Sequence, residues 1–304
     1  MVRKWNEFVA AQAYSIDKNN SAPSWCRFYL NWNSDMYGSD CVKLQRATGQ
    51  LSFHMSQKRI SRMYQSGSAK LMLPKTYSDM IEAVILNTSG GMTDGDIFSI
   101  DVRAKECPLV MTTQTAERVY RSGGKKPAKV KINLSVSDTA DLHWLPQETI
   151  LFNDSKFERT LTVNLSSCSN FLGAETIVLG REAMGENICD CELIDNWRVF
   201  LDGNLFHAES FRLSNEVNKI ITTPAGCNGA RLLSTILYVG HNVDQVADRV
   251  ANVIKQGPSN CAASCWNDRL VIRLVSAHAA SARKNIERLL LAIRQQPLPR
   301  VWQT

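Results

Sequence analysis

The residues best suited to chemistry in this chain are scattered carboxylates, several thiols and very few imidazoles. Cys189-Asp190-Cys191 comes nearest to a metal clip, and Cys261 and Cys265, followed by Trp266, are available as a second pair. A tetrahedral thiolate site needs four ligands, usually delivered as two such pairs. Buried or incidental thiols are the simpler account of these four. The five histidines, at 54, 143, 207, 241 and 278, are too far apart in sequence to suggest a metal pair. No G-x-x-x-x-G-K-[ST], G-x-S-x-G or H-E-x-x-H run occurs, so nothing points to P-loop hydrolysis of GTP or ATP, a nucleophile elbow or a zincin.

Four polar stretches hold more interest. Asn87 to Asp96 is a glycine-rich turn directly after the apolar run Ala83-Val84-Ile85-Leu86. Its Gly90, Gly91 and Gly95 permit the positive φ values of a tight connection, and the ligand spacing of an EF-hand is not met. Thr112 to Ser122 is a long polar run holding Glu117 and Arg118. Trp144-Leu145-Pro146-Gln147-Glu148 sets Gln147 and Glu148 within an otherwise apolar segment, and Gly180 to Glu186 puts Glu182 and Glu186 beside Arg181, with Gly185 between. Each stretch alone reads as a surface turn or a structural ion pair. Together they matter, because polar groups set within apolar strands are costly unless satisfied or wet.

The elements that must position these residues are mostly strands. Val130, Ile132, Leu134 and Val136 alternate with Lys131, Asn133 and Ser135, and Leu161, Val163 and Leu165 alternate with Thr162 and Asn164. A period of two gives each sheet one apolar face. Trp197, Val199 and Leu201 continue the pattern up to Asp202-Gly203, a hairpin signal, and Arg269 to Val275 reads as a further strand. Helical spacing appears late. Val243, Val246, Ala247, Val250, Val253 and Ile254 form one stripe, with Asn242 as its cap and Gly257-Pro258 as its stop. A second helix spans about 281–296, with Ala282, Ile286, Leu289, Leu290 and Ile293 on its apolar face and Pro297 ending it. The expected fold is mainly β: a solenoid, sandwich-like or barrel body of many short strands with two α-helices near the C-terminus. Residues 1–44, rich in Asn, Ser and aromatics without a sustained period, read as a poorly ordered N-terminal extension to a domain spanning 45–304.

Composition narrows the class. A hydrophobic share of 44% and a charged share of 21% are those of an ordinary globular protein. No run approaches the ~18 continuous apolar residues of a membrane span, and Glu7, Gln12 and Tyr14 interrupt any secretion signal. Nine dispersed cysteines suit reduced thiols and a cytoplasmic location. The net charge of +6 is modest, and the Lys125, Lys126, Lys129 and Lys131 patch fits a solvated loop entering a strand better than a nucleic-acid face.

The four polar stretches, in order, resemble the UreD (UreH) family of urease accessory proteins. The likeness rests on Gly90-Gly91 with Gly95-Asp96, on Thr112-Thr113 through Tyr120-Arg121, on Trp144 to Glu148, and on Leu179-Gly180-Arg181 to Gly185-Glu186. Trp266 to Arg273 and the ending Leu298-Pro299-Arg300-Val301-Trp302 extend it, so that it spans roughly 45–302. The resemblance implies a β-helix-like, non-enzymatic scaffold that works with a UreF-type protein and the GTPase UreG to load nickel into apo-urease. It implies no permanently bound cofactor, only nickel in transit through an internal water-filled channel. On that basis Asp96, Glu117, Glu148, Glu182 and Glu186 are the expected lining or rim carboxylates. The alternative is a stand-alone nickel-binding or storage protein, and a hydrolase or transferase with an unrecognised Cys or His nucleophile is the remaining rival class.

Overall fold

The computed structural model describes residues 46–76, 78–181, 185–186, 188–257 and 260–303. The expectations for residues 1–44 and for Glu182 therefore lie outside the described residues. In chain order the strands are β1 Thr48–Ser56, β2 Arg59–Gly67, β3 Ala69–Met72, β4 Ile81–Asn87, β5 Ile97–Lys105, β6 Pro108–Thr113, β7 Glu117–Val119, β8 Ala128–Ser137, β9 Asp141–Leu145, β10 Thr149–Leu151, β11 Lys156–Leu165, β12 Asn170–Leu179, β13 Glu192–Leu201 and β14 Asn204–Leu213. A short helix α1, Val217–Thr222, precedes β15 Leu232–Val239, α2 Val243–Lys255, β16 Cys261–Trp266, β17 Arg269–Ser276 and α3 Ala279–Arg294, and a 3-10 turn follows at Arg300–Trp302.

These strands form two sheets. The first has the order β14-β13-β11-β8-β5-β1-β2; the second runs β16-β17-β15-β12-β9-β6-β4-β3, with β10 and β7 attached beside β12. Between β4 and β13 the chain passes repeatedly from the second sheet to the first, and equivalent strands pair in parallel within each sheet. Stacked coils of this kind make the body solenoid-like, which settles the solenoid-or-sandwich alternative. Antiparallel partners flank the stack, namely β2 and β3 at one end and β14, β15, β17 and β16 at the other.

The two sheets differ in what covers them, and the sequence records it. The first sheet has one apolar face. In β8, Val130, Ile132, Leu134 and Val136 are buried while Lys131 and Asn133 are exposed. The second sheet is buried on both faces, because α2 and α3 lie against its outer side: Val246, Val250, Ile286, Leu289 and Leu290 pack with Val110, Leu172, Ile236 and Ile272. Its strands therefore read as near-continuous apolar runs, such as Leu109-Val110-Met111, rather than as alternation. Full burial of each such side chain contributes roughly 1.5–3 kcal/mol.

The expected hairpin at Asp202-Gly203 joins β13 to β14, with both residues at positive φ. Asn242 stands at the N-cap of α2 but makes no capping bond; its side-chain oxygen accepts instead from the Tyr238 hydroxyl. The ending closes the outer core. Leu298 and Trp302 are buried against it, and the Trp302 indole donates to the Leu145 carbonyl at 3.0 Å.

Candidate functional site

Period-two alternation should fill the space between the sheets with apolar side chains, yet three inward positions on neighbouring strands carry charge. Arg159 shares the inward register of Leu161 and Val163 on β11, and Asp195 that of Leu193 and Trp197 on β13. Across the gap, Glu175 shares that of Ile177 and Leu179 on β12. The Arg159 guanidinium donates to Asp195 at 2.6 and 3.0 Å, to Thr149 Oγ1 at 3.3 Å, and to Glu175, whose other oxygen accepts from Trp144 Nε1 at 2.8 Å. All three charged side chains are almost fully enclosed. Burial works against the Arg159 charge, but Asp195 and Glu175 outweigh it and push its pKa up. Burial also lifts the Glu175 carboxyl to about 7, even though Arg159 pulls it down. One guanidinium cannot neutralise two carboxylates, and because an uncompensated buried charge costs several kcal/mol, the Glu175 carboxyl holds its proton up to about 7.

Open space lies on both sides of this cluster. A cavity of about 350 Å³ runs from Glu175, Arg159, Trp144 and Thr149 to a polar mouth at Asn87, Gly90, Gly91, Gln114, Glu117 and Arg118. At the mouth Asn87 Nδ2 donates to both Glu117 oxygens at 3.2 Å. Burial pushes the Glu117 carboxyl up to about 7 against that hydrogen bond. A second cavity, of about 170 Å³, begins at Glu175 and Asp195 and reaches Glu209 on β14, Ser234 on β15 and Arg273 on β17. Glu175 lines both. Glu209 accepts from Arg273 at 3.0 and 3.3 Å, and His207 lies beside it. Burial alone would raise the Glu209 carboxyl, but His207 and Arg273 together hold it below the ordinary value.

The residues singled out from sequence divide between these two cavities and their frame. Glu117, Arg118, Gly90, Gly91, Trp144 and Gln147 line the first cavity together. Gly91, at φ +145°, allows close approach: a Cβ there would stand 2.4 Å from the Tyr120 ring. Asp96 does not reach the cavity, because its two oxygens accept from the Ala47 and Thr93 amides at 2.8 Å, and with Gly95 at φ +77° they fix the turn. Glu148 accepts from Arg283 of α3 at 2.7 Å, a guanidinium that also holds Gln147 at 2.7 Å. Glu186 pairs with Arg181 at 2.7 Å, Arg181 lies over the Phe152 ring, and Gly185 takes φ +69°. Burial pushes the Cys191 thiol up to about 12 while Cys189 is exposed. Among the described residues no three His, Cys, Asp or Glu side chains converge as a metal-binding group, and no helix is long and apolar enough to cross a membrane.

Sequence reasoning missed Arg159, Glu175, Asp195, His207 and Glu209. One signal was available. Glu175 interrupts the apolar run Phe171 to Leu179, where an acid must be either partnered or functional.

Comparison with known proteins gives the context. The family model of the UreD urease accessory protein matches residues 45–303. The chain is 37% identical over 266 residues to "Urease accessory protein UreD" of Rhizobium leguminosarum bv. trifolii (strain WSM2304), covering 85% of this chain and 96% of that one. It is 38% identical over 271 residues to "Urease accessory protein UreD 1" of Brucella abortus biovar 1 (strain 9-941), covering 86% and 95%. To "Urease accessory protein UreD" of Chelativorans sp. (strain BNC1) it is 39% identical over 270 residues, covering 85% and 95%.

Proposed function

Because the chain belongs to the UreD family of urease accessory proteins, we propose that it is a non-catalytic cytoplasmic scaffold through which nickel reaches apo-urease, in a complex with a UreF-type protein and a UreG-type GTPase. Nickel is cargo here. It travels between the sheets, from Glu117 past Glu175 and Asp195 to Glu209, or in the reverse direction. The observation that carries this reading is the place of Glu175: it lines both cavities and belongs to a buried cluster with one carboxylate more than it has guanidinium.

The chemistry suits transit. Imidazole and thiolate ligands hold Ni²⁺ strongly, whereas carboxylates and water exchange faster. A cation entering either cavity favours the ionised form of the carboxylate that lacks a guanidinium of its own, so the cluster attracts without supplying a full coordination shell. A conduit needs that compromise between entry and release. A tight nickel store would need several converging donors, which the described residues do not supply.

The test is co-expression with the urease subunits and the other accessory proteins, carrying Glu117→Gln, Glu175→Gln or Asp195→Asn. Nickel per urease active site is then measured beside co-purification of the complex. The expected outcome is severalfold lower nickel in complexes that still assemble. Full nickel content in all three variants, at limiting nickel, would overturn the reading.

A further inference from the structure

At the Glu209 end of the second cavity two buried polar atoms stand together without the hydrogen bonds that burial demands. His207 and Glu209 lie two residues apart on β14, so their side chains leave the same face of the strand. His207 is only 7% exposed. Among the described residues, His207 Nε2 and Glu209 Oε2 have no hydrogen-bond partner, and they face each other at 3.6 Å. That gap is too long for a hydrogen bond. Glu209 is also oriented. Its other oxygen, Oε1, is occupied by Arg273 at 3.0 and 3.3 Å, which leaves Oε2 directed toward the imidazole.

We propose that His207 and Glu209 form a two-donor relay site for a divalent transition-metal ion at the Glu209 end of the passage. This rests on the transit reading above and deepens it by naming where the ion pauses. With the imidazole proton on Nδ1, Nε2 and Oε2 present lone pairs across a space of metal size. An ion about 2.1 Å from each donor would see them about 120° apart, and closing the gap by roughly 0.6 Å would bring them to the right angle of octahedral coordination. One imidazole and one carboxylate suit Ni²⁺ or Zn²⁺ and do not suit Mg²⁺ or Ca²⁺, which prefer oxygen throughout.

The charges facing this pair act in both directions. Arg273 on Glu209, and Arg269, which donates to the Phe206 carbonyl, repel a dication. Glu209 itself attracts it, as do Asp195 and Glu175, which line the same cavity as Glu209. Two protein donors leave the remaining coordination to water, so the ion exchanges quickly and moves on to the carboxylates beyond. The alternative is a purely structural contact between His207 and Glu209, and Ni²⁺ binding by a glutamine variant separates the two.

The experiment titrates the purified full-length protein with NiCl2 by calorimetry and follows imidazole coordination by nickel X-ray absorption. His207→Gln keeps a hydrogen-bonding side chain for Glu209 but removes the strong metal donor, and Glu209→Gln provides the same reading where the first substitution disturbs folding. Each is expected to weaken Ni²⁺ binding by about tenfold or more and to remove an imidazole from the nickel signal, while MgCl2 gives no competing heat. Wild-type affinity and an unchanged imidazole signal in both variants would overturn the relay site. Nickel per urease active site separates the two ideas: normal binding by His207→Gln together with poor loading by Glu175→Gln refutes the relay alone. Lost binding with normal loading throughout refutes transit, and the relay role falls with it.

Discussion

Replacing Glu175 with Gln isolates the charge imbalance between the two cavities. Burial raises this carboxyl from an ordinary 4.5 to about 7, with Arg159 and the Trp144 indole opposing the rise. Over that interval the folded chain keeps a proton that the unfolded chain has released. Linkage then fixes the sign: wild-type stability falls as pH climbs from about 4.5 to about 7 and is level above. At about 1.4 kcal/mol per pKa unit, the loss amounts to about 3 kcal/mol. Gln imitates the protonated acid and cannot titrate. Its amide must face one of two donors, Trp144 Nε1–H or Arg159 Nη1–H, which adds a cost of about 1–3 kcal/mol at every pH. The readout is therefore the change with pH and not the offset. Urea unfolding followed by the fluorescence of buried Trp144 and Trp197, at intervals from pH 4.5 to 8, supplies it. The variant should gain about 3 kcal/mol on the wild type across the window. Parallel curves would show that folding does not shift the Glu175 carboxyl, and the argument that the cluster lacks a positive charge would fail with them.

Three further outcomes follow from the same structure. Arg159→Met leaves Glu175 and Asp195 buried without their cation, so the urea midpoint at neutral pH should fall by the equivalent of about 3–5 kcal/mol, with a smaller loss in acid as the carboxyls protonate. His143 accepts from Arg294 at 2.7 Å and faces Asp141 at 3.2 Å, and burial pushes its pKa down. The unfolded chain takes up a proton below about 6.5 that the folded chain refuses, so wild-type stability drops as pH falls through that value. His143→Gln should lack this component when unfolding at pH 5 and 7.5 is compared. Gly91→Ala forces a side chain into φ +145° against Tyr120 and the Arg118 carbonyl; it should cost about 1–3 kcal/mol in thermal or urea unfolding and reduce nickel per urease active site by narrowing the mouth.

Much of the frame was legible because it follows local rules. Alternation at Val130 to Val136 and at Leu161 to Leu165 marked strands with one wet face, and the two late helical stripes marked the elements that cover the second sheet. The order of strands was not legible, since period two says which way a side chain points but not which neighbour its strand meets. The same limit explains the site. Glu117, Arg118, Trp144 and Gln147, which line one cavity, were singled out because they belong to conspicuous polar blocks. Asp96 and Glu148 belong to such blocks too, yet the Ala47 and Thr93 amides claim the first and Arg283 the second. Arg159, Glu175 and Asp195 sit singly in ordinary strands, and only the stacking of coils brings them into contact.

That dispersal is what the proposed conduit requires. A nanomolar site is a well of about 12 kcal/mol, and even with association at 10⁸ M⁻¹s⁻¹ an ion would leave it only about once in ten seconds. A millimolar well, of about 4 kcal/mol, releases it about 10⁵ times per second. Deep wells come from several donors closing on one point, which is what places closely spaced His and Cys in a sequence. Shallow wells need the opposite: one or two donors at a time, well separated along the path, with attraction supplied by a local excess of negative charge. In this chain the excess comes from Glu175 and Asp195 sharing Arg159, three side chains drawn from three strands of two sheets. A path of this kind leaves no motif. What it leaves is an acid in the middle of an apolar strand, and Glu175 is that acid.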